Sequence, residues 1–176
     1  MAVLVLPRTL WERVVAHCLD CMPLEACGLL AGTEHAPVGG ATDPAGAAVM
    51  KAGGAGSRDS DEATEVVRAF TGLGVAEVRE VYPATNAAQS ARVYTVEPKD
   101  LLRSDREAER AGLSLIGVWH SHTHTPAYPS PTDIAQAPDP LWHYVLVSLS
   151  DTDAVLRSYR IVGGEVTEEQ VLALGM

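Results

Sequence analysis

An α/β sandwich of mixed strands and helices is the fold class that this sequence predicts, on three observations. Helical stretches, one of them amphipathic, alternate with strand-length apolar segments. Two of those segments, Leu113–Trp119 and Trp142–Leu149, are almost continuously apolar, as expected of central strands covered on both faces. Nothing repeats internally and no linker divides the chain, so its 176 residues suit one domain with one sizeable core.

The elements are expected in this order. Residues 7–22 read as a helix, because Leu10, Val14 and Cys18 recur every four residues, as do Trp11, Val15 and Leu19. Pro7 suits its first turn and Pro23 stops it. Residues 24–32, LEACGLLAG, form a short buried strand with Glu25 at its entry. Residues 33–61 are rich in Gly and Ala without any period, which predicts a flexible insert. Residues 62–71 suit a short helix. Val75–Tyr82 and Arg92–Val96 read as strands, and Pro98 opens a helix through Arg110 that Gly112 ends. After the two central strands, Ala154–Val162 alternates and turns at Gly163-Gly164 into Glu165–Thr167, a hairpin.

Composition narrows the function. Thirteen basic against 23 acidic residues give a net charge of −10, which argues against nucleic acid, because phosphate contacts need clustered Lys and Arg. No apolar run is long enough to cross a bilayer. The start, MAVLVLPRTLWER, has neither a basic leader nor a small-residue cleavage site, so a cytoplasmic protein is expected. Cys18, Cys21 and Cys27 are too few and unsuitably spaced for a disulfide framework or a structural zinc site. They are expected to be plain packing cysteines.

The chemistry concentrates in residues 119–133, WHSHTHTPAYPSPTD. It begins where a central strand ends, and alternate residues of a strand share a face. His120 and His122 therefore offer two imidazoles to one ion. Ser130-Pro131-Thr132-Asp133 has the form of a helix start, whose first turn aims Asp133 back at them. Two His and one Asp leave one coordination position open, as catalytic zinc requires. A water activated there needs a base, and Glu25, a carboxylate at the edge of an apolar strand, is the candidate.

His120-x-His122, seven residues, Ser130, two residues and Asp133 together resemble the JAMM (MPN+) motif in full, and Glu25 in EACGLLAG resembles the upstream glutamate of that family. The resemblance covers roughly residues 7–34 and 75–170. It implies a cytidine-deaminase-like mixed sheet flanked by helices, with Glu25 as base, His120, His122 and Asp133 as zinc ligands and Ser130 supporting the oxyanion. It implies a metallopeptidase that cleaves amide or isopeptide bonds after the C-terminus of ubiquitin-like proteins. HSHT, AYPSPTD, HYVLVS and LRSYRIVGGEVTEE are similar to the bacterial branch that processes sulfur-carrier proteins, releasing cysteine from a CysO-like carrier. The partner expected is then a small ubiquitin-like carrier ending in Gly-Gly, its tail running as an extra strand along a sheet edge. A homodimer is compatible with these features. The insert is longer than that branch leads one to expect, and His124 has no place in the motif.

Plainer readings stand beside these. Ser130 and Asp133 also match a capping box. His124 is expected at a solvated rim, and His17, His35 and His143 in structural or exposed positions. Asn86, Ser90 and Tyr94 are expected to bond backbone around a turn after Pro83. A non-catalytic MPN scaffold would lack the ligands that are present here. A zinc deaminase would need H-x-E and P-C-x-x-C, both absent. A deubiquitinase-like isopeptidase would use the same chemistry on a different substrate.

Overall fold

The computed structural model describes residues 2–36 and 74–174. Seven strands and three helices follow one another as β1 (Ala2–Pro7), α1 (Arg8–Asp20), β2 (Cys27–His35), β3 (Gly74–Ala84), α2 (Pro98–Arg110), β4 (Ser114–His122), α3 (Pro131–Gln136), β5 (His143–Ser148), β6 (Val155–Val162) and β7 (Glu165–Leu174). The strands close into a ring in the order β1-β3-β2-β4-β5-β6-β7. β1 pairs in parallel with both β3 and β7, and β4 in parallel with β5. The remaining pairs are antiparallel.

Both long helices form where they were expected, α1 from its period and α2 between Pro98 and Gly112. The Leu10, Val14 and Cys18 stripe of α1 is buried, while Leu19 of the second stripe turns outward. α1 packs on β1, β3 and β7, and α2 on β4, β2 and β3. α2 stops at Gly112, whose φ of +72° only glycine takes without strain. The β6–β7 turn places Gly163 and Gly164 at φ +59° and +86°, the pair of positive values a type I′ hairpin needs.

The sheet has two chemically different faces at β2 and β4. Leu30 and Trp119 point into the larger apolar core with α1. Leu29 and Val118, one residue away on each strand, belong to a second core with Tyr144, Leu146, Tyr159 and Ile161. Gly28 lets the two strands lie close, since a β-carbon there would meet the Trp119 ring at 2.4 Å.

Four expectations need correction. The apolar start, given no element above, is strand β1, which takes Pro7 from the expected helix of residues 7–22, so that helix spans Arg8–Asp20, and Leu4 and Leu6 are fully buried. Thr33–His35 of the expected insert continue β2, because β3 pairs with them; the rest of the insert and the helix expected at 62–71 lie outside the described residues. Arg92–Val96 is not a strand, and only Val96 makes a bridge, to Asn86. β7 runs on to Leu174, since residues 170–174 pair with β1 and close the ring. Among the described residues the ring leaves no free edge strand on which a tail could add.

Candidate metal centre

β4 carries both imidazoles. Parallel pairing with β5 runs along it to His122↔Ser148, so the histidines lie within the strand rather than beyond its end. Spacing by two puts them on the face of Val118. The chain then turns through residues 123–130 and enters α3, where Ser130 is the N-cap. Its hydroxyl accepts the Asp133 N–H at 3.2 Å, while Asp133 Oδ2 accepts the Ser130 N–H at 2.7 Å. This reciprocal pair, a capping box, holds Asp133 over the histidines.

His120 Nε2 and His122 Nε2 are 3.2 Å apart, and each stands 3.5 Å from an Asp133 oxygen. Three donors about 2.1 Å from one ion at tetrahedral angles lie about 3.4 Å from one another, so the trio fits zinc. All three side chains are almost wholly buried. His122 Nδ1 faces the Pro126 carbonyl at 2.9 Å and Thr125 Oγ1 at 3.0 Å. Donation to that carbonyl keeps the proton on Nδ1 and frees Nε2 for the centre. The trio is the one group of this kind among the described residues.

Burial alone would raise the Asp133 carboxyl, but hydrogen bonds from His120, His122 and Ser130 hold it far below the usual carboxylate range. Burial lowers His120. For His122 burial also pulls downward, yet Asp133 and the Pro126 carbonyl outweigh it and the imidazole is pushed up.

Glu25 reaches this centre through strand pairing. Cys27 lies opposite His120 in the antiparallel β2–β4 pair. The contact continues past the strand's first residue, with Ser121 N–H on the Ala26 carbonyl at 3.0 Å and Ala26 N–H on Ser121 Oγ at 2.8 Å. Glu25 directly precedes that end of the pairing, near enough to the centre for the charges of His122 and Asp133 to act on its carboxyl. Glu25 is 5% exposed. Burial pushes its carboxyl up to about 7, with Asp133 adding to the rise and His122 opposing it.

Asn86 has a larger part than backbone bonding around a turn. Its Nδ2 donates to the carbonyls of Glu25 at 3.0 Å, Val93 at 3.1 Å and Ser90 at 3.5 Å, and its Oδ1 accepts the N–H groups of Ala88 and Thr95, each at 3.0 Å. Ser90 bonds backbone as expected. Tyr94 departs from expectation: its ring stacks on His120, centroids 4.2 Å apart and planes 19° from parallel. No spacing rule signals that contact, because it depends on how residues 86–96 wrap around one carboxamide. His124 is exposed and stands outside the trio. His143 is buried at the far end of β5, bonded to Glu169 at 2.8 Å. The cysteines are free thiols, and burial pushes Cys18 and Cys27 up to about 12.

Two cavities adjoin the centre. An apolar groove of about 300 Å³ runs from Asp133 over Leu29 and Val118, walled by Tyr94, Val96 and Trp142. The second, of about 580 Å³, includes Glu25 in its lining.

Comparison with known proteins agrees with this architecture. The chain is 36% identical over 170 residues to the CysO-cysteine peptidase of Mycobacterium tuberculosis, covering 96% of this chain and 90% of that one. It is 31% identical over 136 residues to a probable TtuB-protein conjugate cleaving protease of Thermus thermophilus, covering 77% of this chain and 64% of that one. A desampylase of Haloferax volcanii is 30% identical over 95 residues, 53% of this chain and 66% of its own. The solution structure of a Desulfitobacterium hafniense protein superposes with a TM-score of 0.69 at 27% identity, covering 100% of this chain and 94% of that one. The family model described as prokaryotic homologs of the JAB domain matches residues 7–162, from the last residue of β1 to the last residue of β6. A match that takes in the ring from β2 through β6, both histidines, Asp133 and Glu25 shows that this chain belongs to the prokaryotic JAB-domain family, and, as its relatives named above are peptidases, that it is a hydrolase.

Proposed function

We propose that the chain is a zinc-dependent peptidase that cleaves the amide bond after the C-terminal Gly-Gly of a ubiquitin-like sulfur-carrier protein, releasing cysteine or a short extension. The observation that carries this reading is the buried His120, His122 and Asp133 trio with Glu25 across the strand pair from it. Its substrate class comes from the relatives, chiefly the CysO-cysteine peptidase that matches over nearly all of this chain. No helix among the described residues is long and apolar enough to cross a membrane, which accords with the cytoplasmic site of action we propose.

Zinc held by the trio would supply Lewis acidity to the attacking water and the scissile carbonyl. Glu25 takes a proton from that water as its oxygen bonds to the carbonyl carbon. As the C–N bond breaks, Glu25 returns the proton to the leaving nitrogen. The Ser130 hydroxyl accepts from the Asp133 N–H, so its own proton remains for the developing oxyanion. The apolar groove takes the acyl side. With the ring closed, the tail lies instead beside Tyr94 and Val96, which border that groove.

Mass spectrometry of a carrier–cysteine conjugate incubated with the zinc-loaded protein tests this directly, with loss of one cysteine as the expected result. Two relatives bear the names of a conjugate-cleaving protease and a desampylase, which favours an isopeptidase as the second reading. Release of a lysine-linked modifier with the carrier–cysteine conjugate left intact would establish that reading instead.

A further inference from the structure

The second cavity has features that the proposed hydrolysis does not yet use. Its wall combines Glu25, Cys21 and Leu24 with Gln89, Asp100 and Arg103. Glu25 is the group that hands a proton to the leaving nitrogen, so whatever that nitrogen carries is delivered to this side of the centre. The acyl chain has the apolar groove at Asp133 on the other side. If the reading above holds, the nitrogen carries a single residue whose free α-carboxylate is one carbon away.

A carboxylate entering here meets an unfavourable field. The chain bears a net charge of −10, and Glu25 and Asp100 both face the cavity. Arg103 is the one Lys or Arg in its lining. The guanidinium is held in place before any ligand arrives. Nη1 pairs with Asp100 Oδ1 at 3.0 Å and Nη2 donates to the Pro83 carbonyl at 3.4 Å. Asp100 is fixed in turn by the Thr85 N–H at 2.7 Å. Those contacts engage two of five N–H groups, leaving three to donate to a carboxylate. The Arg103 side chain is 52% exposed, so it is open to solutes. Gln89 adds an independent sign. Among the described residues it is the one non-glycine with positive φ, +46°, and such strain collects at ligand sites.

We propose that this cavity is the subsite for the released residue and that Arg103 binds its free α-carboxylate. The inference rests on the peptidase reading. In an isopeptide the leaving nitrogen is a lysine amine with no carboxylate beside it, so Arg103 gives the chain a preference for a C-terminal residue.

The test compares two carrier conjugates that differ only in the released residue, one ending in a free acid and one in a carboxamide. Wild type should cleave the acid about 10- to 100-fold more efficiently, the range of one charge-assisted contact, mainly through KM. In Arg103→Gln that preference should collapse toward one, with zinc content and thermal midpoint retained. An unchanged preference in the variant, or none in wild type, overturns the subsite. Should wild type cleave neither conjugate, the peptidase reading fails, and binding decides the subsite separately. NMR titration of the zinc-loaded protein with S-methyl-L-cysteine and with its amide should then show saturable shifts at Thr85 and Arg103 for the acid alone, lost in Arg103→Gln. Absence of those shifts overturns it.

Discussion

At the scale of single residues, the side chains of the centre are held to different degrees, and that determines what the removal of each does. His122 has its ring fixed by Pro126 and Thr125 and its Nε2 facing His120 and Asp133. In His122→Ala, two donors remain, too few to hold the ion, so metal analysis of the purified variant should find zinc well below stoichiometric. Full occupancy would show that the donor set is wrong. Glu25 makes a different demand, since it is to move a proton without binding metal. Glu25→Gln should keep zinc and lose at least about a hundredfold in turnover. Retained turnover would move the base role to another group. The same variant has a pH signature in the metal-free protein. Burial raises the Glu25 carboxyl from 4.5 to about 7, so the folded state holds the proton more tightly than the unfolded state. The stability associated with this proton is present below pH 4.5 and lost as pH rises through 7. Denaturant melts should therefore find Glu25→Gln level with wild type near pH 4 and more stable above pH 7, by on the order of 2–3 kcal/mol. A gap independent of pH would mean that Glu25 is not buried as described.

Among the elements, the unusual one is residues 85–97, which the alternation of Arg92–Val96 marks as a strand. The segment pairs only with itself, through the Asn86–Val96 bridge with its two backbone bonds, and the Asn86 side chain ties up more of its backbone, accepting from Ala88 and Thr95 and donating to Val93. The same carboxamide bonds the Glu25 carbonyl, so the base and the wall that stacks on His120 share one anchor. Asn86→Ala removes all five contacts at once. Each half-buried group left without a partner costs about 1–3 kcal/mol, so the segment should open locally. Hydrogen exchange at the Ala88 and Thr95 amides should accelerate by at least about tenfold, while amides in β4 and β5 keep their protection. Slow exchange at both positions would show that other contacts hold the segment.

Over the whole molecule, the ring closes through residues whose local character does not announce it. Glu168-Glu169-Gln170 suits a helix or a solvated turn as well as a strand. Burial would raise the Glu169 carboxyl, but His143 at 2.8 Å, Ser158 at 2.8 Å and Arg160 at 3.0 Å hold it below the usual range and fasten β7 to β5 and β6. A closed ring also bears on substrate. With no free edge strand among the described residues, a short tail has the groove but no sheet to join, so affinity must come mostly from the body of a carrier. The zinc-loaded protein should thus hydrolyse a folded carrier conjugate at least about tenfold faster than the matching tail peptide. Equal rates on both would mark a general peptidase.

The centre was legible in the linear sequence because its parts are local. Histidines two apart on a strand, and a Ser-Pro-x-Asp helix start eight residues later, determine their own geometry through strand alternation and capping. Helices α1 and α2 followed from equally local signals, a period of four in α1 and Pro98 with Gly112 at the ends of α2. What depends on distant pairing was not legible. Glu25 meets His122 through the β2–β4 register across about a hundred residues, Tyr94 meets His120 through the wrap around Asn86, and β1 and β7 become neighbours when the sheet closes. Alternation and capping are settled within a few residues of chain, whereas ring closure and the knot at Asn86 are settled by which buried polar groups find partners once the chain is folded.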